Sequence, residues 1–172
     1  DKEIDVINKI LTLYSDNLEA LHDVWASIIY AIREFDAHEM VNKDTNLRKK
    51  LLKFSIESIK NKSEKQNPFN GIIGYYGISP EEMEALTTAV VNFGHKSNSA
   101  TYLIHSLIHF IDSYTYSYGT FGLHKPEYKT SVDNLRKLLN DPSFFAAAAF
   151  KELIKDNDDL KILLESKGNK IL

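Results

Sequence analysis

Apolar residues recur at three- and four-residue spacing along almost the whole chain, and no stretch keeps a two-residue alternation. That period matches the turn of an α-helix, so each segment can bury one stripe against its neighbours, and no sheet is called for. The fold class that follows is all-α, a single irregular bundle of about seven or eight helices spanning residues 1–172.

The punctuation between stripes divides the chain. A first helix is expected over 2–14, with Ile4, Ile7, Leu11 and Tyr14 on one face, before Ser15-Asp16 offers a break. A long second helix carries Leu18, Leu21, Trp25, Ile28, Ile29, Ile32 and Phe35 and frays near Val41-Asn42. Asp44 or Thr45 can cap a third, over 45–61. Between Ser63 and Ser79 the pattern stops, and Asn67-Pro68-Phe69-Asn70-Gly71 and Gly74-Tyr75-Tyr76-Gly77 read as a loop built from turn residues with bulky rings between them. Ser79-Pro80-Glu81-Glu82 combines a cap, a proline at the first helical position and a glutamate three residues after the cap, which starts a fourth helix that stops at Gly94. A fifth is expected over 99–118 and a sixth over 131–140 with Ser131 as its cap. A seventh follows Asp141-Pro142, and a last one over 158–167 ends at Gly168.

Composition excludes whole classes of chemistry. With no cysteine there is no disulfide framework, thiol nucleophile, iron–sulfur cluster or thiolate zinc site. The longest apolar runs, such as Ala146 to Phe150, fall far short of the roughly 18 residues that cross a bilayer, so no transmembrane helix is expected. The net charge of −3 is unevenly spread. Residues 1–40 carry net −6 and residues 41–65 net +5, the latter from Lys43, Arg48, Lys49, Lys50, Lys53, Lys60, Lys62 and Lys65. A basic helix over 45–61 can steer an acidic partner, but in a chain that is acidic overall it reads as a solvated face, and nucleic acid is not the expected partner.

Two constellations could carry chemistry. His105, His109 and Asp112 stand at i, i+4 and i+7 on one helix face, in a stripe with Tyr102 and Tyr116 opposite the apolar face. Two imidazoles and a carboxylate so placed can ligate a metal, yet a bundle site needs a further ligand from a facing helix, so the stripe reads as a polar face meeting water, with no metal or cofactor assigned. The second is Arg33-Glu34-Phe35-Asp36-Ala37-His38, which resembles the Arg-x4-His motif of HEPN ribonucleases. That resemblance implies an intracellular RNA-cleaving activity, with Arg33 stabilising the phosphorane and His38 moving a proton. No phosphate-binding loop, nucleophile elbow or paired-carboxylate motif occurs, so no small-molecule substrate is expected and no catalytic residue is assigned in the leading reading.

Aromatic residues point to binding. Phe69, Tyr75 and Tyr76 fall in the expected 63–79 loop, while Tyr116, Tyr118 and Phe121 lead into the next one. Tyrosine-rich loops on a helical scaffold make good interface anchors, because a large area is buried with few rotors fixed. These six residues are the candidate binding set, against the alternative that the rings fold back over the bundle ends.

The bias toward Lys, Asn, Ile, Ser and Tyr in a cysteine-free helical chain, and the helix start Gly77-Ile78-Ser79-Pro80-Glu81-Glu82-Met83-Glu84-Ala85-Leu86, resemble the mature part of the plasmid-encoded helical outer-surface lipoproteins of Lyme-disease spirochaetes. The likeness is one of texture over the whole chain and transfers no specific residue. It implies a lipidated cysteine and tether upstream of Asp1, which would be the sole membrane attachment, display on the cell outer surface, and binding to a host or vector protein such as a complement regulator or matrix component. A plain initiator methionine in place of a lipobox would instead place the chain in the cytoplasm, as the ribonuclease or as a bacterial or phage regulatory module.

Overall fold

The computed structural model describes residues 2–34, 44–118, 122–144 and 146–165. Among the described residues there are nine α-helices and no strand, so the all-α class stands. They are α1 (Lys2–Leu13), α2 (Leu18–Glu34), α3 (Thr45–Lys60), α4 (Asn70–Tyr76), α5 (Pro80–Ala89), α6 (Asn98–Tyr118), α7 (Lys129–Asn140), α8 (Ala147–Ile154) and α9 (Asp158–Leu164). A π-helical turn, Val90–Gly94, extends α5, and a 3-10 turn, Pro126–Tyr128, leads into α7.

The longest helix among the described residues, α6, organises the rest. Leu103, Ile104, Leu107, Ile108 and Ile111 on its inner side have no exposure at all. Helices α3, α4, α8 and α9 pack against α6, while α5 lies against α3 and α7, and α1 against α2 and α3. One continuous cluster of buried side chains runs from Ile4 to Leu164. Each large side chain so buried contributes about 1.5–3 kcal/mol, which is why the apolar stripes, rather than intrinsic helix propensity, hold the bundle.

Capping follows the sequence at two starts. The Asp44 carboxylate accepts from Asn46 N and Leu47 N and opens α3. Ser79 Oγ accepts from Glu82 N at 3.2 Å while Glu82 Oε2 accepts from Ser79 N at 2.9 Å, the reciprocal box expected at α5. Glu82 has a second role. Arg48 of α3 donates from Nε to its Oε1 at 2.7 Å and from Nη2 to its Oε2 at 2.6 Å, and also reaches the Gly77 carbonyl at 3.1 Å. The first cation of the basic helix is thus spent inside the fold.

The expected 63–79 loop is corrected. Its second half folds as α4, because Phe69, Ile72 and Ile73 share the buried side of a short helix that docks on α6. Gly71 and Gly74 depress helix propensity, and packing overrides them. Gly77 then ends the helix at φ +71°, where a side chain would be strained. The first half is held by Asn67, whose Oδ1 accepts from Ser55 Oγ and from Phe69 N, and whose Nδ2 donates to the Ser55 carbonyl and to Ser99 Oγ. The Trp25 indole N–H donates to the Pro68 carbonyl at 3.0 Å and ties α2 to the same segment.

Two helix starts also differ from expectation. Helix α7 begins at Lys129, so Ser131 is a buried helical residue and not a cap. Asp141 accepts from Ser143 N at 2.8 Å and Ser143 Oγ at 2.7 Å, which closes a turn, and α8 starts only at Ala147. Helix α9 starts at Asp158 as expected, where Asn157 Oδ1 accepts from Leu160 N. The fray near Val41-Asn42 and the stop at Gly168 lie outside the described residues. At the end of the π-turn, a Cβ on Gly94 would stand 2.6 Å from Ile59 Cγ2 and 2.9 Å from the Ile59 carbonyl, so only glycine admits this approach to α3.

Candidate functional site

The inner half of α6 is committed to the core, which leaves Tyr102, His105, His109, Asp112 and Tyr116 on its outer face. Fourteen residues of helix set the two tyrosines about 21 Å apart at about 1.5 Å per residue. Tyr102 is 51% exposed and Tyr116 70%, whereas Tyr128 is buried. Both histidines between them are exposed, with Nε2 atoms 3.1 Å apart and ring centroids 4.3 Å apart at 72°.

One edge of this face is framed by α8 and α9. The His105 ring lies 5.9 Å from the Phe150 ring. Asn157 Nδ2 donates to Asp112 Oδ1 at 3.1 Å, and Tyr116 Oη donates to the Asp156 carbonyl at 3.3 Å. Partial burial, followed by the neighbouring His109, holds His105 below the ordinary histidine value. The polar stripe expected from the sequence is therefore present, with its carboxylate turned toward the cap of α9. Among the described residues no group of three or more histidine, aspartate or glutamate side chains is placed to hold a metal.

Of the six candidate binding residues, the side chains of Phe69 and Tyr116 are described. Phe69 has no exposed surface and belongs to the core, so it is withdrawn as an anchor. Tyr75 and Tyr76 end α4, and Tyr118 ends α6, with side chains outside the described residues; Phe121 lies outside them altogether. Tyr116 is the member that the structure places in solvent. Tyr102, which the sequence placed only on a polar stripe, joins it on the same face. Arg33 sits in the last turn of α2 with its side chain undescribed, and His38 falls outside the described residues.

A cleft of about 750 Å³ opens between the α1–α2 turn and α3, lined among others by Leu11, Leu18, His22, Lys53, Phe54 and Ser63. His22 Nε2 lies 3.0 Å from Ser58 Oγ, a pairing with no local signal because the residues are 36 positions apart. Ser58 donates its own proton to the Phe54 carbonyl at 2.9 Å, so the imidazole N–H is the donor to the hydroxyl. Ser58 is completely buried, and this pair is a structural link rather than a nucleophile with its base. Burial, then Lys65, pushes His22 below the ordinary histidine value, while Asp23 opposes them.

Of the five cations of α3, Arg48, Lys50 and Lys60 are tethered, as is Lys65 beyond the helix end. Besides the Arg48 pair, Lys50 Nζ donates to Asn8 Oδ1 of α1 at 3.0 Å. Lys60 Nζ lies 2.9 Å from Glu57 Oε1 and 5.7 Å from the Phe93 ring centroid, and Lys65 pairs with Asp23. No helix among the described residues is long and apolar enough to cross a membrane. Comparison with family models, with curated proteins and with solved structures finds no match. The class that stands is an all-helical domain with a polar outer face on α6.

Proposed function

We propose that this chain is a non-enzymatic helical binding domain that presents the outer face of α6 to a protein partner. The observation that carries the reading is the pair of exposed tyrosines, Tyr102 and Tyr116, on one face of a rigid helix. Large rings standing in water on a packed scaffold are the residue type that anchors protein interfaces. Two features lend further support: the Ser58 hydroxyl proton is spent on a backbone carbonyl, and the acidic overall charge disfavours a phosphate backbone as partner. The residue bias shared with spirochaetal outer-surface lipoproteins supplies the setting, an outer surface facing a host or vector protein such as a complement regulator or matrix component.

The test has two stages. Immobilised domain is exposed to host serum, retained proteins are identified by mass spectrometry, and the purified partner is titrated against wild type and a Tyr102→Ser/Tyr116→Ser double variant. Saturable binding that weakens on the order of tenfold or more in the double variant is expected, since each lost ring anchor typically costs over 1 kcal/mol. An empty eluate, or a partner that binds both proteins equally, overturns the reading.

A further inference from the structure

The two histidines on α6 have an arrangement that protein binding does not require. In a regular helix, residues four apart lie one above the other, so His105 and His109 stay neighbours as long as α6 stays folded. Their Nε2 atoms face each other at 3.1 Å. That separation suits an N–H···N hydrogen bond between one donor ring and one acceptor ring. It also suits a cation held between them: an ion about 2.1 Å from each nitrogen would subtend an angle of about 95°, between square and tetrahedral coordination.

We propose that His105 and His109 form a two-imidazole clamp for a divalent first-row transition ion on the outer face of α6. Imidazole favours zinc, nickel and copper over the hard cations calcium and magnesium. The ring that carries its proton on Nε2 shifts it to Nδ1, so both rings ligate as neutral imidazoles, and the N–H···N bond gives way to an ion set to one side of the line between the two nitrogens. Asp112 is not placed as a third ligand, since among the described residues no three such side chains converge, and its Oδ1 receives the Asn157 amide. The remaining positions are therefore filled by water or by a group brought from outside. The clamp does not depend on the protein-binding reading, since its test uses the metal alone.

Calorimetric titration of the whole chain with zinc chloride, in a buffer that does not bind zinc, is expected to give one equivalent in the micromolar range. His105→Gln and His109→Gln should each weaken it on the order of tenfold or more, because a single remaining imidazole is a one-toothed ligand. His95→Gln should leave it unchanged, as that ring belongs to a separate cluster with Asp141 and Ser143. Substoichiometric Ni²⁺ added to the wild type supplies a readout that needs no variant: the ring resonances of His105 and His109 should broaden before those of His22, His95 and His124. Absence of saturable zinc binding, affinity that survives both substitutions, or broadening that starts at another histidine overturns the clamp.

Discussion

The segment around Asn67 and the outer face of α6 are both polar, and they spend their polar groups in opposite ways. Asn67 is almost fully buried, and both amide protons and the amide oxygen are used by Ser55, Ser99 and the Phe69 backbone. On α6 the two histidines bond each other in solvent and Tyr102 stands half exposed. A buried polar group without its partner costs far more than a satisfied one contributes, so the first region is closed to change. The second keeps donors and acceptors that a ligand can take over. The contrast separates residues that hold this fold from residues that can meet another molecule.

Removing the centre of the buried network should break the comparison most visibly. Asn67→Ala leaves the Phe69 N–H and the Ser55 and Ser99 hydroxyls to find new partners in an enclosed space. A loss of about 3 kcal/mol is expected, read as a lower urea midpoint at unchanged slope. A loss below about 1 kcal/mol would mean that water enters the segment freely and that the network is not what pins 63–70.

This division was only half legible in the sequence. Local signals worked where the physics is local: the apolar stripes of α1, α2, α3 and α6, the Asp44 cap and the Ser79-Glu82 box all lie within a few residues of what they control. They failed where tertiary packing decides. Helix α4 is rich in glycine and turn residues and folds because α6 offers it a surface. Phe69, read as a loop anchor, turned out to have no exposure for the same reason. Ser131 resembles a cap by composition but is the third residue of α7, because the 3-10 turn before it has already started the chain coiling. The outer face of α6 was visible as a stripe of residue types. That its carboxylate is bonded toward α9 depends on Asn157, 45 residues along from Asp112.

Between the two extremes lies His22, half enclosed beside Ser58. Burial leads in holding its folded-state value below the ordinary one. As pH falls through about 6.5 the unfolded chain takes up the proton before the folded one, so the stabilising contribution present above that value is lost progressively below it. His105, also held down by burial and by His109, acts with the same sign. The urea midpoint should therefore fall between about pH 7.5 and about pH 5.5, and His22→Gln should flatten part of that slope without removing all of it. An equal slope in wild type and variant would show that His22 meets solvent as freely folded as unfolded.

The smallest effect on stability is expected where the largest effect on binding is proposed. Tyr102→Ser with Tyr116→Ser removes two rings that are mostly in water, together with one exposed hydrogen bond to the Asp156 carbonyl. Exposed positions away from the core usually shift stability by no more than about 0.5 kcal/mol. Thermal melts of the double variant and the wild type should then nearly coincide, with the same far-ultraviolet dichroism. A clear drop in the melting temperature would mean that these rings shield the α8–α9 edge from solvent, and the outer face of α6 would then belong with Asn67 as structure instead of standing apart from it.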